Sequence, residues 1–148
     1  MLELEKLQKS YRKNEVLQDV SITVKDGESV CFVGANGAGK STLLKIIVGA
    51  LKPDAGTILW NGTFLSEHVG YVPQENPLFE DLTVKDNLEL WYANDKARLQ
   101  KDLEDGWLFY FGMHKIYKKP VKKLSGGMKK RLSICCALAG DPDGFVMG

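Results

Sequence analysis

The sequence predicts an α/β fold, and three observations carry that expectation. A short continuous apolar run at residues 30–33 (Val-Cys-Phe-Val) stands directly ahead of a glycine-rich loop and an apolar helical stretch. The first seventy positions otherwise alternate apolar and polar residues, which is strand patterning around one helix. After Pro73 the apolar spacing changes to that of helices.

Each element follows from its own residues. Leu2, Leu4 and Leu7 form a first strand, and Val20, Ile22 and Val24 a second, closed by an Asp26-Gly27 turn. The run 30–33 has no polar face, so it reads as a strand buried on both sides, as in a parallel sheet. A helix begins near Lys40. Leu43, Leu44, Ile46, Ile47, Val48 and Leu51 cover most of its circumference, and Lys52 and Pro53 end it. Residues 57–60 and 69–72 read as two further strands.

The rest of the chain reads as helical up to its last residues. Thr83 with Asp86 three positions on makes a capping box, ahead of Val84, Leu88, Trp91 and Tyr92 on one helical face. A second helical region runs from Lys96 to Phe111. The aromatic cluster Trp107, Phe109, Tyr110, Phe111 and Tyr117 reads as subdomain core. A last helix follows Ser125, with Met128, Leu132, Cys135, Cys136 and Ala139 inward and Lys129, Lys130 and Ser133 outward. Phe145, Val146 and Met147 open another strand. These assignments make one domain in three parts: a β-rich part with the glycine-rich loop (1–73), a helical subdomain (74–123) and a final helix and strand (124–148).

Composition narrows the function classes. A chain of 148 residues is long enough to bury a sizeable core. Its net charge of +1 points to neither nucleic acid nor an acidic membrane surface. No apolar run approaches the length of a membrane span, and the first residues do not have the pattern of a secretory signal. Cys31, Cys135 and Cys136 have no metal-ligand spacing and read as free thiols of a reducing cytosol. Lys118, Lys119, Lys122 and Lys123 read as a solvated approach, and His68 and His114 are isolated.

Residues 34–41, Gly-Ala-Asn-Gly-Ala-Gly-Lys-Ser, match G-x-x-x-x-G-K-[ST] in full. Glycines let the backbone wrap phosphate oxygens, and successive N–H groups then converge on one concavity. The following helix N-terminus contributes about 0.3–1 kcal/mol per anion contact. Gly34, Asn36, Gly37, Ala38, Gly39, Lys40, Ser41 and Thr42 are therefore the candidate triphosphate-binding residues. Lys40 would pair with the β- and γ-phosphates, and Ser41 would place its hydroxyl on Mg²⁺.

A second motif, Leu124-Ser125-Gly126-Gly127-Met128 followed by Lys129-Lys-Arg131, separates the many P-loop families. Taken alone, Ser125 reads as a plain N-cap. After a P-loop, the stretch resembles the LSGGQ signature of the ATP-binding-cassette (ABC) ATPases. Gln74 and Tyr11 alone read as a loop glutamine and a strand-edge aromatic. They stand where that family has its Q-loop glutamine and an adenine-stacking aromatic, and the order of the four features agrees over essentially the whole chain.

The resemblance implies a P-loop NTPase with a RecA-like core, an antiparallel β subdomain and a helical subdomain. It implies ATP and Mg²⁺ as ligands, with Ser41 and Gln74 at the metal and Gln74 sensing the attacking water. It further implies head-to-tail pairing with a second ABC domain, whose ATP the signature residues 124–128 would close upon. A transmembrane permease subunit would receive the work and would hold the chain on the cytoplasmic, inner face of the cell membrane. Part of the aromatic cluster would then meet a permease helix. No nucleic-acid partner is implied.

The pattern departs from the family at the Walker B motif, a hydrophobic strand ending in an acid. The strand would be residues 144–147, and the acid's position holds Gly148; Asp143 precedes the strand and is no substitute. The catalytic Glu and the switch histidine are also missing, so the fold is expected to be C-terminally incomplete, with 30–33 a free edge and the chain prone to aggregate. Loss of a general base costs roughly 10²–10⁴-fold in rate, so little or no steady-state ATPase activity is expected. The alternative is a non-catalytic nucleotide-binding or interaction fragment from an interrupted gene. An ABC ATPase outside transport would bring tandem domains or long insertions, and a GTPase would bring an NKxD motif, which this chain lacks.

Overall fold

The early alternation becomes a β-hairpin of β1 (Leu2–Tyr11) and β2 (Asn14–Val24), with β3 (Ala55–Trp60) on the other side of β1, all antiparallel in the order β2-β1-β3. Leu2, Leu4 and Leu7 all face the core, although Leu7 is out of phase with a period of two. A bulge reconciles them. The β1–β2 register shifts between Leu4 and Leu7, and Lys6 takes a positive φ of 47°. The computed structural model describes residues 1–63, 69–93 and 95–148, which places His68 outside the description. It divides into two units, Met1–Glu67 and His68–Gly148.

In the first unit, α1 (Lys40–Ile47) buries Leu43, Ile46 and Ile47. It ends earlier than Lys52–Pro53. Gly49, at φ 76°, sends its N–H to the Ile46 carbonyl, and Ala50 sends its N–H to that of Lys45, a left-handed C-terminal cap that stops the helix. The strand expected at 30–33 is also corrected. These residues join no ladder among the described residues, and Val33 is 90% exposed. An apolar run supplies strand propensity, but a ladder needs a partner strand, and 30–33 pairs with neither sheet among the described residues.

In the second unit, β4 (Val69–Val72) and β5 (Gly144–Met147) pair in parallel, with Val69 opposite Gly144 and Val72 opposite Met147. The helices are α2 (Val84–Trp91), α3 (Lys96–Asp105), α4 (Trp107–Tyr110), α5 (Met113–Ile116) and α6 (Gly126–Leu138). The Thr83 box forms as expected: its hydroxyl accepts from the Asp86 N–H at 3.1 Å, and Asp86 accepts from the Thr83 N–H at 3.2 Å. The core holds Val84, Leu88, Tyr92, Leu99, Leu108, Met113, Ile116, Val121, Leu124, Leu132, Cys135 and Cys136.

Three expectations are revised here. The helical region 96–111 breaks at Gly106, whose extended backbone separates α3 from α4. The single turn of α4 buries only Leu108, so Trp107, Phe109 and Tyr110 are exposed, while Phe111 and Tyr117 pack partly against the core. Ser133 is buried rather than outward, because its hydroxyl donates to Asn76 Oδ1 at 3.0 Å.

Candidate functional site

The loop 34–41 runs directly into the N-terminus of α1. Gly39 caps α1 at φ 93°, and a Cβ there would lie 2.9 Å from both Val16 Cγ1 and the Val16 carbonyl oxygen. Only glycine satisfies both the dihedral and the approach to β2. The first helical bond runs from the Leu43 N–H to the Gly39 carbonyl at 2.9 Å. The N–H groups of Lys40, Ser41 and Thr42 therefore have no helical acceptor. The first turn of α1 contains no acidic residue to oppose an anion. Lys40 Nζ donates to the carbonyls of Gly34 (2.6 Å) and Ala35 (2.7 Å), which holds its charge over the loop. The N-terminal amides of α1 and one ammonium are donors of the kind that can hold a polyphosphate.

No group of three or more His, Cys, Asp or Glu side chains able to hold a metal occurs among the described residues. The exposed Ser41 hydroxyl is a hard oxygen donor without charge. This donor set fits a hard cation that arrives already bound to phosphate oxygens. Tyr11 ends β1 at the hairpin turn, 48% exposed, with Lys9 Nζ 5.8 Å from its ring centroid.

Gln74 follows β4 and is exposed. Gly148 lies next to it. The Gly148 N–H donates to the Val72 carbonyl at 2.8 Å, and a Cβ at 148 would stand 3.2 Å from Gln74 N and 3.6 Å from Tyr71 Oη. Any side chain at 148 would therefore neighbour Gln74. Asp143 precedes the first residue of β5, at the far end of the strand.

Ser125 caps α6, its Oγ accepting from the Met128 N–H at 3.2 Å. Gly126 and Gly127 are exposed, neither has a positive φ, and a Cβ on either would meet nothing within 4 Å. Nothing within the described chain requires glycine at these two positions.

Sequence reading missed the polar side chains that hold the segment after Gln74. Lys130 Nζ donates to the carbonyls of Pro73 (3.2 Å) and Gln74 (3.3 Å), and Lys129 Nζ pairs with Glu80 at 2.7 Å. Asn87, fully buried on α2, accepts from the Phe79 N–H and donates to the Phe79 and Thr83 carbonyls. The one available signal was an asparagine on the apolar face of a helix. The thiols of α6 are inert. Burial, with Asp102 nearby, pushes Cys135 up to about 12, and burial raises Cys136 as well.

Comparison with known proteins agrees with this geometry. The family model described as ABC transporter matches residues 17–147. Nod factor export ATP-binding protein I of Ralstonia nicotianae is 35% identical over 99% of this chain and 49% of its own length. The chain thus spans about half the length of that relative. The solved structure of cbiO1 from Clostridium perfringens, part of the cbiONQ complex, superposes with a TM-score of 0.86 at 28% identity, over 99% of this chain and 64% of that one. A dimeric, post-hydrolysis ATP-binding cassette bound to ADP and Pi gives a TM-score of 0.83 at 27% identity, over 99% and 73%.

Proposed function

The chain belongs to the ABC transporter family, and from that premise we propose that it is an ATP-binding part of a transporter, holding MgATP on residues 34–42 and pairing head to tail with a second such domain. Its fold is that of the family's P-loop NTPase domains. The observation that carries the proposal is the donor set of the loop: the amides of Lys40, Ser41 and Thr42, which have no helical acceptor, and the Lys40 ammonium. The amides bind and orient the β- and γ-phosphates, and Lys40 exchanges its carbonyl contacts for phosphate oxygens. Ser41 places a hydroxyl on the cation that accompanies the nucleotide, and that cation neutralises phosphate charge. Tyr11 offers its exposed ring to the base. The Gln74 reading, as a sensor of metal and water, rests on the resemblance.

The pairing reading is supported by Gly126 and Gly127. Two glycines that the chain itself does not need leave the α6 N-terminus bare for a phosphate approaching from outside. A permease partner is supported by the exposed rings of Trp107, Phe109 and Tyr110, a surface suited to an apolar helix. One similar protein is an export ATP-binding protein and another is part of the cbiONQ complex, which supports this reading. Such a partner would hold the chain at the inner face of the membrane. No helix among the described residues is long and apolar enough to cross a membrane.

Equilibrium titration with ATP and Mg²⁺ tests the reading. Lys40→Ala removes the charged donor and is expected to weaken binding about 10- to 100-fold. Equal affinity of the two proteins would overturn the loop assignment.

A further inference from the structure

Residues 73–80 form neither helix nor strand, so side chains from neighbouring elements fix their course. On α6, Lys129, Lys130 and Ser133 lie on one side and reach Glu80, the Pro73 and Gln74 carbonyls, and Asn76 in turn. From α2, Asn87 grips both backbone groups of Phe79. The contact of Lys130 differs in kind from the others. The Pro73 carbonyl belongs to the peptide plane before the Gln74 Cα, and the Gln74 carbonyl to the plane after it. A residue has only two soft backbone dihedrals, so holding both flanking planes restrains φ and ψ together, and with them the direction of the Cα–Cβ bond from which the side chain departs. One ammonium therefore aims Gln74, and it sits five residues beyond Ser125 on the same helix.

We infer that Lys130, backed by Ser133, is a positioning residue for Gln74, so that the orientation of this glutamine is set by the helix that begins at residues 125–127. The inference rests on the reading of Gln74 and of residues 124–128 given above. A displacement of α6 by a ligand at its N-terminus is then passed to Gln74 through the two carbonyls. No covalent step is involved, and Lys130 need not touch nucleotide.

Hydrogen exchange of the whole chain, read at the Leu78 and Phe79 amides, which donate to the Asn76 carbonyl and to Asn87 Oδ1, tests the tie. Lys130→Met keeps the length of the side chain and removes the donor. It is expected to speed exchange there about tenfold, with the amides of α2 and the middle of α6 unchanged. Lys130→Arg, which restores donors, should recover most of the protection. Unchanged exchange in Lys130→Met overturns the inference. Should that variant fail to fold, Ser133→Ala, which frees the Asn76 end, is read in the same way.

A second measurement separates this inference from the reading beneath it. The ratio of ATP affinity with Mg²⁺ to that with chelator is compared for Gln74→Ala, Lys130→Met and the double variant. Equal reductions that do not add support the positioning role. An effect of Gln74→Ala with none of Lys130→Met overturns it. No effect of Gln74→Ala, with exchange still raised in Lys130→Met, refutes the metal role of Gln74 and supports the tie.

Discussion

Replacing Gly127 with alanine separates what α6 needs from what a ligand needs. Gly127 is the second residue of α6, after the Ser125 cap. Glycine inside a helix costs about 0.8–1.0 kcal/mol relative to alanine, and somewhat less in the first turn. Steric cost does not offset that gain, because a Cβ at 127 meets nothing within 4 Å and the backbone needs no positive φ. Gly127→Ala should therefore stabilise the chain by about 0.5–1 kcal/mol, or about 1–4 °C in Tm for a domain of this size. Thermal melts followed by circular dichroism measure the shift, and ATP affinity at residues 34–42 should be unchanged. An unchanged or lower Tm would show that the glycine answers a constraint inside the chain, and the argument for an external ligand would fail.

Thr83→Ala should destabilise the chain by about 1 kcal/mol through loss of the capping box, as measured by urea unfolding. The Thr83 side chain and backbone hold the Asp86 carboxyl below its ordinary range. Its contribution is therefore complete above the unfolded carboxylate pKa and is lost as pH falls through the depressed native value. Carboxyl NMR titration should find this depression reduced in Thr83→Ala, which keeps the backbone donor but loses the hydroxyl, and an unmoved titration would refute the assignment. Asn87→Ala strips partners from Phe79 and Thr83 and should cost about 1–3 kcal/mol in the same unfolding assay; a smaller loss would mean that water replaces the amide. A thiol reagent should label Cys31, which is exposed, and spare the buried Cys135 and Cys136 until the chain unfolds. Mass spectrometry finding three labels on native protein would refute that.

What could be read from the sequence was local in origin. The capping box, the hairpin strands and the start of α1 are set by residues within a few positions of one another, and each formed where its chemistry placed it. β5 was legible because four residues matched a strand that the resemblance already located. The misses were nonlocal. Lys130 and Ser133 find their partners 56 and 57 residues away, and no periodicity encodes that pairing. Residues 30–33 carry the composition of a buried strand, but burial is conferred by neighbours. One-turn helices such as α4 are too short for spacing to show which residues face inward, and this is why the exposed rings of Trp107, Phe109 and Tyr110 read as core.

Lys40 has a consequence for selectivity among nucleotides. Its ammonium rests on the Gly34 and Ala35 carbonyls, and those oxygens compete with any incoming phosphate for the same three protons. Affinity at this loop is then a difference between two occupancies of one charge. On the proposed reading, a triphosphate would draw the ammonium away more readily than a diphosphate, and a diphosphate more readily than a monophosphate. The graded response comes from the loop's own carbonyls, which act as an internal competitor. They also keep the loop in shape before any nucleotide arrives, so little backbone reorganisation need precede binding.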